Sequence, residues 1–349
     1  MRSLLFCILF FLSVRASFSQ GLNSRNEWAA GFGFGGILAH NGLVRHLAQS
    51  HPFQLNLEFL QSRQFENHLL PNRHGIALHY LDYRSDRLGR SLAALVFTEP
   101  AISRHISFRI GSGIAWNSRP FQVPDNPANN MLGSAFSGAM QGRIMLNRDL
   151  KSLRLKLGIG ITHFSNGAFS LPNMGINHFY LYSSLGWLRA SSRPAGPENF
   201  SQQQGLIFGI SGSASLTERY PLTGKKYPVW QLQLRAGWRN RKKSTFTAGL
   251  DVMYNSALAS RIREFPEEGS SVLMTGIPLG HSWQVHPSWS ILTEAGIYLV
   301  RRNRLYPAIY QRYGFRHHFK NGLAAGLLLK THAARAECME FNLSYFWKK

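Results

Sequence analysis

The chain has 349 residues, a formal net charge of +22 and only 16% charged residues. Soluble domains contain about 25% charged residues, so this composition, with 32 glycines and 13% aromatic residues, argues against an ordinary soluble domain. Cys338 is the only cysteine outside the apolar run at the amino terminus. An intramolecular disulfide and a cysteine-based zinc site are therefore excluded.

The first 19 residues have the pattern of a secretory signal peptide. Arg2 is followed by the apolar residues 4–14 and then by the small-residue segment 16–19, which is typical of a cleavable export signal. The apolar run is too short to span a bilayer as a helix. We therefore predict a signal peptide over residues 1–19 and a mature chain over residues 20–349 without a transmembrane helix.

The mature chain contains many segments in which apolar residues alternate with polar residues or glycine. A period of two is the mark of a β-strand with one apolar face. In chain order the clearest segments are 53–59, 106–111, 153–161, 179–187, 206–211, 230–238, 246–254, 291–299 and 341–347. Aromatic residues collect at the ends of these segments, for example Trp116, Trp187 and Trp238. This pattern predicts strands with lipid on one side and a polar lumen on the other.

These strands predict an all-β protein, a transmembrane, antiparallel, up-and-down β-barrel of about 12–14 strands, as one unit over residues 20–349. A soluble β-sandwich would also alternate, but an exported chain with low charge and aromatic strand ends favours the barrel. The short turns 147–151 and 239–243 are expected on the periplasmic side, and the long segment 117–133 outside. The segment 190–204 does not fit this scheme, because it is long but falls on the short-turn side.

The strand 153–161 leads into the stretch with the most distinctive chemistry. Its apolar odd-numbered residues continue to His163 and Ser165, which should point to the apolar, lipid-facing side about 7 Å apart at Cα. A histidine and a serine so placed can form the hydrogen bond that a base-activated serine nucleophile requires. The next strand carries Asn177 on its odd-numbered face, where it could orient the imidazole.

An ester hydrolase also needs donors for the oxyanion that forms when the serine attacks. Asn166, Gly167 with its backbone N–H, and Asn173 are the candidates that the sequence places near Ser165. The sequence does not choose among them. No metal-ligand spacing is present among the histidines, so no metal site is predicted.

The motif also resembles a known family. His-x-Ser-Asn at 163–166, followed by Pro-Asn-x-Gly at 172–175, resembles the PagL-type lipid A 3-O-deacylases. This resemblance implies an outer-membrane barrel with its active site on the lipid-facing wall. The third triad member of that family is a glutamate, and the corresponding position here is Asn177.

The run His-x-Ser-Asn-Gly at 163–167 is similar to outer-membrane phospholipase A as well. That resemblance implies a twelve-stranded barrel with a Ser-His-Asn triad and a calcium requirement. An asparagine as third member is thus compatible with ester hydrolysis.

The sequence therefore predicts a carboxylic ester hydrolase that removes an acyl chain from lipid A through His163, Ser165 and Asn177. We expect it in the outer membrane of a Gram-negative bacterium, with lipopolysaccharide as its partner, no nucleic acid and no cofactor. The alternatives are a phospholipase A, which would need calcium, and a non-catalytic barrel acting as a pore, transporter or scaffold. The oligomeric state is left open.

Overall fold

The computed structural model describes residues 25–63, 72–190, 204–240, 243–268, 272–286, 288–301, 307–332 and 335–348. The signal peptide predicted at 1–19 lies outside these residues. Among the described residues, no helix combines the length and the apolar character needed to cross a membrane.

Antiparallel strands form nearly all of the described secondary structure, and they close into two separate barrels of eight strands each. The first barrel consists of β1 (Arg25–Ile37), β2 (Phe53–Arg63), β3 (Asn72–Asp82), β4 (Arg90–Pro100), β5 (Ile106–Asn117), β6 (Phe136–Leu150), β7 (Leu153–Ser165) and β8 (Ile176–Ala190). The second barrel consists of β9 (Gly205–Glu218), β10 (Lys226–Arg239), β11 (Ser244–Asn255), β12 (Leu273–His286), β13 (Trp289–Val300), β14 (Ile309–His318), β15 (Leu323–His332) and β16 (Arg335–Lys348). A short helix, α1 (Ser256–Glu264), follows β11.

The all-β, antiparallel barrel class predicted from the sequence is confirmed, but the arrangement of the strands differs from the prediction. In place of one barrel of 12–14 strands, β1 pairs with β8 and β9 pairs with β16. Each closure joins the ends of an eight-strand run, and the alternation within a strand contains no information about that long-range pairing. The long segment 190–204 thus connects the two barrels, although residues 191–203 lie outside the described residues.

The outer wall of the barrels is apolar. On β7, Leu155, Leu157, Ile159 and Ile161 are exposed, whereas Lys156 between them is fully buried inside the barrel. An outward apolar face and an inward polar face define a membrane barrel. Eight strands leave an interior just wide enough to be filled by side chains.

A network of ion pairs fills the interior of the first barrel. Arg109 forms a bidentate pair with Glu58 at 2.8 Å and a second pair with Glu99. Arg143 also binds Glu58, at 2.7 Å. All four side chains are fully buried, and hydrogen-bonded partners of opposite charge are what make such burial tolerable.

The second barrel is filled in the same manner by different residues. Arg312 contacts Asp251, Glu294 and Glu340, and Arg235 pairs with Asp251 and Glu294. Each barrel therefore has a packed polar interior of its own.

The two ends of the first barrel differ. β6 and β7 are joined by residues 151–152 alone at one end, whereas residues 38–52, 83–89, 118–135 and 166–175 connect strands at the other end. The stretch predicted to hold the active site lies at this long-loop end. Buried apolar residues of these loops pack beneath it, among them Val44, Tyr83 and Met131.

Candidate active site on the lipid-facing wall

His163 and Ser165 lie on the outward face of β7, as its alternation predicts. The alternate residues Thr162 and Phe164 are buried, and His163 is partly exposed. Ser165 is the last residue of the strand and is only 7% exposed. His163 thus reaches the lipid-facing wall at its long-loop end, whereas Ser165, at the next outward position of the strand, is covered by neighbouring residues.

Asn177 lies directly opposite His163 in the register of β7 and β8. Its Oδ1 is 2.7 Å from His163 Nδ1. An amide oxygen can only accept, so His163 Nδ1 carries the proton and Nε2 is left unprotonated. This is the tautomer in which a histidine can take a proton from a serine.

The Ser165 hydroxyl accepts two hydrogen bonds from the segment that follows it. Asn173 Nδ2 donates at 2.9 Å, and the backbone N–H of Gly167 donates at 3.2 Å. In this structure the Ser165 hydroxyl makes no hydrogen bond to His163, contrary to the expectation from sequence. Catalytic hydrogen bonds are often long or poorly aligned in a free enzyme and tighten when the substrate binds. The two donors lie beside the attacking oxygen, so they are the candidates to bind an oxyanion formed next to it.

The donors of Asn166 do not point to Ser165, as an oxyanion donor would have to do. Its side-chain amide donates to Ser134 Oγ and to the carbonyl oxygen of Ser170, and its backbone N–H donates to Asn173 Oδ1. All of these donors are used to fold the loop. Of the three candidates, Asn173 and the N–H of Gly167 are the two whose donors contact Ser165.

Gly175, the last residue of the Pro-Asn-x-Gly segment, lies against the ring of His163. Its backbone has a φ of +76°, and a Cβ at this position would lie 2.7 Å from Cε1 of His163. A residue with a side chain would be strained by this φ and would press on the imidazole. Glycine thus allows the chain to pass close to Cε1 of the His163 ring.

His40 is a site residue that the sequence did not reveal. It lies in the loop after β1, is exposed, and places its Nδ1 3.0 Å from Asn177 Nδ2. Leu38, two residues before His40, donates its backbone N–H to the carbonyl oxygen of Asn177 at 2.9 Å. The imidazole of His163, the amide of Asn177 and the imidazole of His40 form one hydrogen-bonded chain.

The second barrel contributes contacts that the sequence also did not reveal. Glu218, at the end of β9, accepts the backbone N–H of Leu171 at 2.6 Å and donates its own N–H to the carbonyl oxygen of Ala168 at 2.9 Å. Lys226 donates to the carbonyl oxygen of Phe169 at 2.5 Å. These residues hold the loop that begins immediately after Ser165.

A close packing contact supplements these hydrogen bonds. Gly167 has a φ of +62°, and a Cβ there would lie 2.3 Å from Met339 Cγ of β16. The second barrel therefore approaches the loop so closely that only glycine fits at position 167.

The described residues contain no group of three or more His, Cys, Asp or Glu side chains that could hold a metal ion. The groups that donate hydrogen bonds to the Ser165 hydroxyl are the side-chain amide of Asn173 and the backbone N–H of Gly167.

The fold and the site together define a membrane-embedded β-barrel that carries a hydrogen-bonded histidine and amide on its outer wall, with a serine two residues further along the same strand. Residues 77–185 match the family model for lipid A 3-O-deacylase (PagL), and residues 203–349 match the model for the acyloxyacyl hydrolase, C-terminal domain. Together the matches cover most of the chain, with one in each barrel. The chain belongs to the PagL family of lipid A deacylases, which are hydrolases of lipid A esters.

Other comparisons add little. No curated protein matches the chain. A mutant of the porin of Rh. blastica aligns with 93% of this chain and 100% of its own at 9% identity, with a TM-score of 0.21. The P. putida toluene transporter TodX aligns with 95% of this chain and 91% of its own at 9% identity, with a TM-score of 0.19. Scores this low define no common arrangement of strands.

Proposed function

We propose that this protein is an outer-membrane serine esterase that removes an ester-linked acyl chain from lipid A. The single observation that supports this proposal best is the hydrogen bond between His163 and Asn177 on the lipid-facing wall of a barrel of this family, two residues before Ser165 on the same strand. In that place the partly exposed His163 faces the acyl chains of the membrane, and Ser165 lies buried two residues further along the same strand.

The contacts suggest a role for each group. When an ester is bound, Ser165 Oγ attacks its carbonyl carbon while His163 Nε2 takes the hydroxyl proton. The imidazolium that forms keeps its Nδ1–H on Asn177 Oδ1, 2.7 Å away. The carbonyl oxygen becomes an oxyanion, and Asn173 Nδ2 and the N–H of Gly167 are the donors nearest to Ser165 Oγ.

The remaining steps return the site to its starting state. The tetrahedral intermediate collapses, His163 gives its proton to the departing sugar oxygen, which leaves as a hydroxyl, and an acyl ester of Ser165 remains. Water, deprotonated by His163, then attacks this ester and releases the fatty acid. The reaction uses protein groups and water alone.

The packed interiors argue against a pore. Large charged side chains such as Arg109, Arg143 and Arg312 are fully buried inside the barrels and are paired with carboxylates. A channel would need an open, hydrated path where these side chains lie.

A phospholipase A is the second candidate, since Asn177 occupies the place of the asparagine in the Ser-His-Asn triad of that class. Its twelve-stranded barrel differs from the eight-stranded barrel that carries the site here. Phospholipid and lipid A both present acyl esters at the membrane surface, so the product is what distinguishes the two activities.

The test is mass spectrometry of both lipid pools from Gram-negative cells that express the wild type or Ser165→Ala. Lipid A lacking one acyl chain, found only with the wild type, is the expected result. Lysophospholipid with unaltered lipid A would indicate a phospholipase instead. If neither pool changes although the folded protein is inserted in the outer membrane, the proposal is wrong and the protein is a non-catalytic barrel.

A further inference from the structure

An asparagine beside a catalytic histidine raises a problem of orientation that a glutamate does not. Both oxygens of a carboxylate accept hydrogen bonds, so either one can receive the N–H of the imidazole. The Asn177 amide has one acceptor and one donor, and only the acceptor holds His163 with its proton on Nδ1.

The opposite orientation of the amide would disable the histidine. With Nδ2 facing His163, the amide would donate to Nδ1, and the proton of the neutral imidazole would move to Nε2. Nε2 could then no longer take the proton of Ser165. The two orientations of Asn177 have nearly the same shape, so a third group must decide between them.

His40 is placed to make this decision. Its Nδ1 lies 3.0 Å from Asn177 Nδ2, and an amide nitrogen can only donate, so this imidazole nitrogen is the acceptor. We propose that His40 is a positioning residue that fixes the Asn177 amide with Oδ1 towards His163. This inference rests on the proposed function, because it explains how an amide replaces the glutamate of the family.

Backbone hydrogen bonds near His40 hold it beside Asn177. Ile37, at the end of β1, pairs with His178 of β8, and Leu38 donates its N–H to the Asn177 carbonyl oxygen at 2.9 Å. The β1–β8 pairing that closes the first barrel therefore places His40 beside Asn177.

A double-mutant cycle on deacylase activity separates this role from a general effect on folding. His40→Phe keeps a flat ring but removes the acceptor nitrogen, and Asn177→Glu removes the need for orientation. We expect His40→Phe to lower kcat about fivefold to tenfold in the wild-type background, the loss of one neutral hydrogen bond, with KM unchanged. In the Asn177→Glu background the same change should alter kcat by less than about twofold.

His51→Phe is the matched control, because His51 is an exposed histidine of the same loop that stacks on Phe34. It should leave kcat unaltered. An equal loss from His40→Phe in both backgrounds, or no loss in either, would overturn the role assigned to His40. If the wild type released no fatty acid at all, the proposed function would fail instead.

A second measurement does not depend on activity. Nitrogen-15 chemical shifts of labelled histidines in the refolded protein report which nitrogen of His163 carries the proton. We expect the Nδ1–H form in the wild type and a mixture of both tautomers in His40→Phe. An unchanged tautomer in His40→Phe would refute the inference even in the absence of any deacylase activity.

Discussion

Asn177 Oδ1 accepts a hydrogen bond from His163 Nδ1 at 2.7 Å across the directly opposed pair of β7 and β8. The bond connects two neighbouring strands of a rigid sheet, so the barrel itself fixes the distance between the two residues. The orientation of the Asn177 amide, and the groups on loops and on the second barrel, depend on further contacts.

Removing the amide tests whether this bond matters for the reaction. In Asn177→Ala the imidazole loses the acceptor that fixes its tautomer, and we expect kcat to fall roughly tenfold to a hundredfold. Asn177→Glu restores an acceptor and should recover most of the rate. Deacylation of lipid A by the purified variants is the measurement, and equal rates for all three proteins would show that Asn177 has no catalytic role.

Gly175 offers a test of the position of the His163 ring. In Gly175→Ala the new Cβ would lie 2.7 Å from Cε1 of His163, and φ is +76°, so we expect the ring to shift and kcat to fall by about a hundredfold. Gly36→Ala is the control at the same end of the barrel, because a Cβ there meets no atom within 4 Å. Wild-type kcat in the folded Gly175→Ala variant would contradict this account.

The alternation of residues predicted the strands and the common outward face of His163 and Asn177, because both follow from a local period of two. The register that places the two residues directly opposite each other comes from the structure. It could not predict that the sheet closes twice, since closure depends on pairing between β1 and β8 and between β9 and β16. His40 and Glu218 were missed for a related reason. His40 is 137 positions from Asn177, and the long-range fold alone brings it to the site.

Because Glu218 of the second barrel binds the loop after Ser165, we expect the second barrel to support the active site of the first. The two carboxylate oxygens of Glu218 accept the N–H groups of Leu171 and Gly224, one each. In Glu218→Gln one of these oxygens is replaced by an amide nitrogen, which can only donate, so one N–H loses its acceptor. We expect the loop after Ser165 to loosen and kcat to fall about tenfold. Lipid A deacylation by the refolded variant measures this effect.

Glu264→Gln is the control for that experiment. Glu264, the last residue of α1, pairs with Arg219 and accepts a hydrogen bond from Tyr220, and its side chain is 49% exposed. It should retain the wild-type rate. An identical rate for Glu218→Gln would mean that the second barrel does not act on the site.

The interior ion pairs lead to a prediction about stability. Glu58 binds Arg109, Arg143 and Tyr182 while fully buried, so Glu58→Gln leaves buried positive charge uncompensated. We expect the free energy of unfolding to fall by about 3–5 kcal/mol. Urea titration of the refolded protein, followed by its mobility in an unheated gel, gives this value.

Asp149→Asn is the comparison for Glu58→Gln, since its carboxylate also pairs with an arginine but is 44% exposed. It should cost less than about 1 kcal/mol. Equal costs for the two substitutions would show that the buried network contributes no more than a surface pair.

The most direct test of the central claim uses purified components. The refolded protein is mixed with purified lipid A, and the released fatty acid and the remaining lipid A are measured by mass spectrometry for the wild type, Ser165→Ala and Ser170→Ala. We predict one acyl chain released by the wild type and by Ser170→Ala, and a loss of at least about a thousandfold in Ser165→Ala. Release of the same fatty acid by folded Ser165→Ala at the wild-type rate would contradict the assignment of Ser165 as the nucleophile.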